Sequence, residues 1–259
     1  MIPSSPVTMT LERGLQVLRA FRAERVPLTN GELVRRTGLS KSTVSRLTMT
    51  LVSTGFLRRV AGGRQFELAS GPLGIGHAYL ETSAVTRLAH PFLQQLADRL
   101  NVSVALAVPD QLDMLYVAYR TSVRIATLRL GVGSLLPMGL TAIGRAWLWG
   151  LPEDTRDRYI GSVVEAAGPQ AEEVQKNIEA AFEDLRTSGV CMSFGEYQRN
   201  AYGIALPLRV GRADRLMALN CGAVELRPDV DAIRARIVPE LKAAAVELMV
   251  LLRDVGSEA

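Results

Sequence analysis

The chain opens with a helical pattern of apolar positions. Leu11, Leu15, Leu18 and Phe21 recur at three- and four-residue spacing, which predicts a helix capped by Thr10 and running to about Ala23. Pro27 follows. Thr29 and Glu32 then form an S/T-x-x-E capping box, with Leu28 and Leu33 placed as a hydrophobic staple. Gly38 suits the end of that helix, and Ser40 caps another. Along residues 40–54, Val44, Leu47, Thr48 and Leu51 fall on one side of a helical wheel. Ser42, Arg46 and Met49 fall opposite, with Thr43 and Ser45 on the flanks. Two short helices joined by a Gly-containing turn predict a helix-turn-helix. After Gly55, "FLRRVAGGRQFEL" reads as two strands about Gly62-Gly63, a basic hairpin or wing.

Beyond residue 69 the pattern changes. "ASGPLGIGHAYLETSAVTRLA" reads as a connecting segment that becomes helical, followed by a helix from about Pro91 to Leu100. "VSVALAVP" and "DMLYVAYR" alternate as strands about Asp110-Gln111-Leu112, and "RIATLRL" reads as a third. "GVGSLLPMG" reads as a loop, after which Thr141 starts the helix "AIGRAWLWG". Helices are predicted near 153–160 and 170–187. Strands follow in "GVCMSFGEY", "GIALPLRV" and "RLMALNCGAVEL", and a long helix opened by Pro228 and Asp229 runs to about Asp254. Strands, then helices, then strands suit an antiparallel α+β domain. The predicted organisation is residues 1–69, a helical linker over 70–89, and a second domain over 90–259.

Charge sharpens this division. Residues 1–70 hold eleven Lys and Arg against four Asp and Glu, a net of +7, whereas the remainder holds 19 against 22, a net of −3. A basic module on a mildly acidic body points to a polyanion partner for the module alone. The N-terminus lacks a signal-peptide pattern, and the most apolar run, Ala243 to Leu252, is interrupted by Glu247. The expected location is the cytoplasm, with no membrane partner. Cys191 and Cys221 read as buried thiols in a reducing compartment.

Catalytic chemistry finds no foothold. The chain has no G-x-S-x-G, Walker or H-E-x-x-H sequence. Its two His, 77 and 90, and two distant Cys make no metal spacing. Gly71, Gly74 and Gly76 lack the Lys and the strand-loop-helix context of a phosphate loop. No catalytic residue, metal or cofactor is expected. The hydroxyl-rich helix is a better lead. Ser and Thr are poor helix formers but reach polar partners at close range, and a helix fits the major groove of DNA. Ser42, Thr43, Ser45 and Arg46 are the candidate base contacts. Lys41, Arg58, Arg59 and Arg64 are the candidate phosphate contacts, and Thr29 and Ser40 stand at the helix starts beside them. The rival reading is a small-molecule sensor whose basic module docks a protein rather than double-stranded DNA.

The run "LERGLQVLRAF…PLTNGELVRRTGLSKSTVSRLTMTLVSTGFLRR…GGRQFEL" resembles the winged helix-turn-helix of the IclR family of bacterial transcriptional regulators. The resemblance continues through "LPMGLTAIGRAWL", "DLRTSGVCMSFGEY" and "IALPLRV…LMALNCG". It implies a homodimer, or a dimer of dimers, in which a winged helix binds operator DNA. It also implies a C-terminal GAF-like antiparallel α/β domain that binds a small effector, an organic acid. The positions matching the family's effector site are Thr141, Ala142 and Ile143 at a helix start, and Ser193, Gly203, Asn220 and Gly222 on strands. The sequence departs from the family's pattern here: an acid and a thiol are absent, and one serine is replaced by glycine. The expectation is a roomier site for a larger, more apolar acid; the alternative is that these positions have drifted and the pocket is small, shifted or unused. Trp147 and Trp149 lie about 200° apart on one helix, so at most one can face a given pocket, and core packing or a dimer contact is expected for both.

Overall fold

The computed structural model describes residues 8–22, 26–125 and 128–256, and the chain divides into two compact units, Met1–Thr82 and Ser83–Ala259. The first unit contains α1 (Met9–Arg19), β1 (Leu28–Thr29), α2 (Asn30–Thr37), α3 (Lys41–Ser53), β2 (Leu57–Arg59), β3 (Gln65–Leu68) and α4 (Gly71–Thr82). Thr8, not Thr10, precedes α1, and it makes no side-chain cap. The expected end at Ala23 lies outside the described residues. The face of α1 that meets the core is centred on Val17 and Phe21, while Leu11 and Leu15 are exposed.

The capping box forms as read. The Glu32 N–H donates to Thr29 Oγ1 at 3.2 Å, and the Thr29 N–H donates to Glu32 Oε2 at 2.6 Å. Leu28 and Leu33 are fully buried in the same small core as Val44, Leu57 and Phe66. Gly38 ends α2 at φ 67°, a left-handed conformation that costs glycine no Cβ clash. Ser40 Oγ accepts the Thr43 N–H at 3.3 Å and so caps α3. β2 and β3 form the hairpin, and only Gly62 of the glycine pair takes positive φ. The sequence pattern missed β1, which pairs with β3 to make the sheet order β1-β3-β2.

The segment expected to link the two domains is helical, in two pieces. α4 ends at Thr82, and Ser83 Oγ then accepts the Thr86 N–H at 3.2 Å to start α5 (Ala84–Leu100). Pro91 therefore lies inside a helix rather than opening one. Val85, Ala89, Leu93, Leu96 and Leu100 form one buried stripe that spans it, and burial of that stripe outweighs the missing proline N–H. The two compact units meet between Thr82 and Ser83.

The second unit is a sheet between helical layers. Its strands are β4 (Ser103–Asp110), β5 (Asp113–Thr121), β6 (Leu135–Pro137), β7 (Cys191–Phe194), β8 (Ala201–Val210) and β9 (Arg215–Val224). They pair antiparallel in the order β6-β5-β4-β9-β8-β7. Val104, Leu106, Ile204, Leu206 and Leu219 face α5 and α9 (Val230–Leu252). The opposite face carries Ala105, Ala107, Ala205 and Ala218, small enough to admit α6 (Ala142–Trp149) closely, with α7 (Glu153–Ala166) and α8 (Ala171–Ser188) outside it. This is the α+β fold expected from the strand and helix order.

Two local expectations fail. "RIATLRL" forms no strand at its described residues, 124–125 and 128–130, and Ala126 and Thr127 lie outside the description. The strand at that sheet edge is β6, inside the segment read as a loop; it pairs Leu135–Pro137 with Asp113–Leu115. A turn sets it up: Ser134 Oγ accepts the Gly131 N–H at 3.0 Å, and the Gly133 N–H donates to the Tyr116 carbonyl at 2.8 Å. The helix predicted near 153–160 is also longer, ending at Ala166.

Candidate functional site

α3 sorts its side chains as the wheel predicts. Val44 and Thr48 are buried, Leu47 and Leu51 partly buried, and Lys41, Ser42, Ser45, Arg46 and Met49 exposed. Buried Thr48 donates to the carbonyls of Val44 and Ser45 at 3.0 and 3.1 Å and approaches Asn30 Oδ1 at 3.3 Å, tying α3 to the start of α2. Gln16 Nε2 donates to the Thr37 carbonyl at 2.9 Å, so α1 braces the turn between them. The result is a fixed helix whose outward face offers hydroxyls, an ammonium and a guanidinium.

The candidate residues are not equally available. The Thr29 hydroxyl donates to Glu32 Oε2 at 2.7 Å as well as accepting its N–H, so its first task is structural. Ser40 Oγ lies 3.1 Å from Ser42 Oγ and 2.9 Å from Thr43 Oγ1, a connected row of hydroxyls at the tip of α3. On the wing, Arg58 pairs with Glu67 at 2.9 Å. Arg59 donates to Met49 Sδ at 3.1 Å and lies 5.4 Å over the Phe66 ring, which joins the wing to the exposed side of α3. Arg64 is exposed beyond the hairpin turn.

In the second unit, sheet register builds a pocket floor from small residues. Ser193 sits opposite Gly203, Gly203 opposite Gly222, and Gly222 opposite Ser103, one row across four strands. Above it α6 begins. Thr141 Oγ1 accepts the Gly144 N–H at 3.4 Å, and the Thr141 carbonyl accepts that of Arg145. The N–H groups of Ala142 and Ile143 have no acceptor among the described residues. All seven expected effector residues, Thr141, Ala142, Ile143, Ser193, Gly203, Asn220 and Gly222, line this one cavity. Its interior open to water measures about 60 Å³, within about 530 Å³ of space that includes open solvent at its mouth.

The Asn220 side chain lies in the next row, 8% exposed and without a hydrogen-bond partner among the described residues. A Cβ on Gly203 would stand 3.0 Å from Asn220 Oδ1 and 3.7 Å from the Ala142 Cβ. The asparagine amide therefore sits beside the open end of α6. Gly222 adds no room, contrary to expectation, because a Cβ there would stand 2.5 Å from the Tyr202 carbonyl oxygen. Space comes instead from Gly203 and from walls that the sequence did not reveal: Tyr116, Tyr197, Leu128, Leu130 and Leu136. These come from strands and loops far apart in the chain, and only the sheet pairing brings them together.

Among the described residues, none lining the cavity carries a formal charge. Burial pushes the Tyr202 hydroxyl up to about 12 and raises Tyr116 further, so both stay neutral at physiological pH. Beneath the start of α6, the Cys191 thiol donates to the Ala142 carbonyl at 3.2 Å, and burial pushes it up to about 12, a packing thiol rather than a nucleophile. The positive end of α6 faces the cavity and favours an anion. Trp147 and Trp149 pack instead against Tyr159 and Phe182, at ring separations of 5.1 and 5.2 Å.

Comparison with known proteins bears on both sites. The IclR helix-turn-helix domain matches residues 10–61, and the domain described as bacterial transcriptional regulator IclR C-terminal matches residues 77–250. The Pca regulon regulatory protein of Pseudomonas putida is 28% identical over 92% of this chain and 82% of its own. An IclR-family regulator from Brucella abortus superposes with a TM-score of 0.85 at 33% identity, over 93% of this chain and 91% of that one. An IclR homologue from Microbacterium hydrocarbonoxydans, solved with 4-hydroxybenzoate, shares the fold at TM-score 0.62 and 22% identity, over 94% and 98% of the two chains. The chain belongs to the IclR family of bacterial transcriptional regulators, with a helix-turn-helix DNA-binding domain followed by an effector domain.

Proposed function

We propose that the protein binds operator DNA as a homodimer through α3 and the wing, and that a ring-bearing carboxylate in the pocket changes that binding. On the DNA side, Ser42, Ser45 and Arg46 read or approach bases in the major groove, while Lys41 and Arg64 contact phosphates. Arg58 reaches phosphate by exchanging its Glu67 partner, a small loss for an exposed pair. A dimer presents two such helices to half-sites about one DNA turn, or a multiple of it, apart. The protein acts by binding, not by catalysis.

One observation carries the effector reading. Two unpaired helix-terminal N–H groups and the unpaired Asn220 amide converge at one end of a cavity whose other walls are aromatic and aliphatic. Two helix-terminal N–H groups and a helix dipole suit a carboxylate, to which the Asn220 NH2 can add a third donor by turning its amide, and Tyr116, Tyr197, Leu130 and Leu136 suit a ring. The Microbacterium homologue solved with 4-hydroxybenzoate lends this class support. A thermal-shift comparison tests it. Benzoate, 4-hydroxybenzoate and cyclohexanecarboxylate should raise the melting temperature more than acetate, glyoxylate or pyruvate at equal concentration. Stabilisation by the two- and three-carbon acids alone would overturn the assignment.

A further inference from the structure

Among the described residues, Arg145 is the largest side chain that the fold buries completely, at 1% exposed. It projects from α6, the helix whose first amides border the effector cavity. A buried guanidinium is costly unless its donors are met. Here Nε and Nη2 donate to the Gly139 carbonyl at 3.0 and 2.8 Å. Nη1 donates to Glu196 Oε1 at 2.9 Å, and Nη2 also pairs with Glu196 Oε2. Asn177 Nδ2, from α8, donates to that same carboxylate at 2.9 Å.

One cation thus holds two pieces of the cavity's surroundings. Gly139 lies in the turn that feeds α6. Glu196 lies in the loop between β7 and β8, and the next residue, Tyr197, lines the cavity. The loop's backbone hydrogen bonds within 195–201, Gly195 N–H to Ala201 and Ala201 N–H to Gln198, close the hairpin on itself. The Glu196 side chain is what fastens it to α6 and α8. Buried ion pairs often add little stability over apolar side chains of equal volume. Their gain lies in geometry, since a two-point arginine–carboxylate contact fixes both distance and orientation.

We propose that Arg145 and Glu196 are positioning residues for effector recognition, holding the carboxylate-binding start of α6 and the Tyr197 loop on one frame. This rests on the effector assignment above. Arg145 acts through Gly139 and Glu196 acts through Tyr197. Weakening the pair frees Tyr197 to leave the cavity, so a bound acid escapes faster while its entry is little changed.

The test uses the full-length protein and two variants, because Glu196→Ala strands a buried cation and risks unfolding, whereas Glu196→Gln keeps an acceptor of the same shape. Hydrogen exchange is followed in peptides covering 195–200 and, as a control, α9. Association and dissociation rates are measured for benzoate and 4-hydroxybenzoate. In Glu196→Gln, exchange in the loop should rise at least fivefold with α9 unchanged. The acid's dissociation rate should rise at least fivefold with its association rate within twofold of the wild type. Wild-type loop exchange in that variant overturns the proposal, and so does faster exchange with an unchanged dissociation rate. If the wild type binds neither acid, the effector assignment falls on its own, and any effector role of the pair falls with it.

Discussion

Asn220 Oδ1 stands 3.0 Å from the point where a Cβ on Gly203 would lie, on neighbouring strands β9 and β8. The asparagine amide occupies the space that a side chain at 203 would need, and the open end of α6 is alongside. A methyl group at 203 must push that amide aside. Gly203→Ala should therefore weaken binding of a ring-bearing acid about tenfold, or about 1.4 kcal/mol. The melting temperature without ligand should change little, since the displaced amide has no protein partner among the described residues to lose. Isothermal titration of both proteins with 4-hydroxybenzoate checks this; equal affinities would show that the acid does not sit against Asn220.

Asn220 itself separates binding from stability. Its amide has no protein partner among the described residues, and its polar atoms face the cavity, where water reaches them. A hydrogen bond to a charged group contributes about 1.5–3 kcal/mol, so Asn220→Ala should cut acid affinity roughly tenfold to a hundredfold. Denaturant unfolding of the unliganded variant should show stability unchanged or raised. A destabilised variant with normal acid affinity would mean that Asn220 serves the core rather than the ligand.

On the DNA side, the two kinds of contact have different signatures. Lys41→Ala should weaken binding to specific and random DNA alike and reduce the slope of log affinity against log salt by about one. Arg46→Ala should cost about 1–3 kcal/mol on the operator and less on random DNA. Fluorescence anisotropy across a salt series measures both. Equal losses on both DNAs for Arg46→Ala would reduce it to a phosphate contact.

The capping box makes a pH prediction. The Thr29 N–H, then the Thr29 hydroxyl, holds the Glu32 carboxyl below its ordinary value of 4.5. A carboxyl lowered by folding adds stability that is complete above its unfolded value and is lost as pH falls through the folded one. Thr29→Ala should cost about 1 kcal/mol at neutral pH, the typical loss of a helix cap. It should also flatten the acid limb of the first unit's stability between pH 5 and pH 3. An acid limb identical to the wild type would show that Glu32 gains nothing from the Thr29 hydroxyl, the backbone N–H of residue 29 being kept in the variant.

The DNA-reading half of the molecule was largely legible in the sequence because its signals are local. Thr29, Glu32, Gly38 and Ser40 act within one or two helical turns, and Val44 and Thr48 follow helical spacing. β1 escaped notice because a two-residue strand has no period. Pro91 misled because proline usually opens a helix, and only the buried stripe from Val85 to Leu100 reveals that it sits inside one. The effector site divides along the same line. The start of α6 is visible at Thr141, but the row Ser193, Gly203, Gly222 and Ser103 exists only through pairing across 119 residues of sequence in its last step. Tyr116, Tyr197 and the Arg145–Glu196 pair had no local signature.

An acid at the start of α6 and DNA at α3 should be coupled, and coupling between binding sites is reciprocal. The direct measurement titrates 4-hydroxybenzoate into the protein alone and into the protein saturated with the DNA that flanks its own gene. DNA should change the acid's affinity by the same factor by which the acid changes the affinity for DNA, within a range of about 5–150-fold. Identical acid affinities with and without DNA would contradict it.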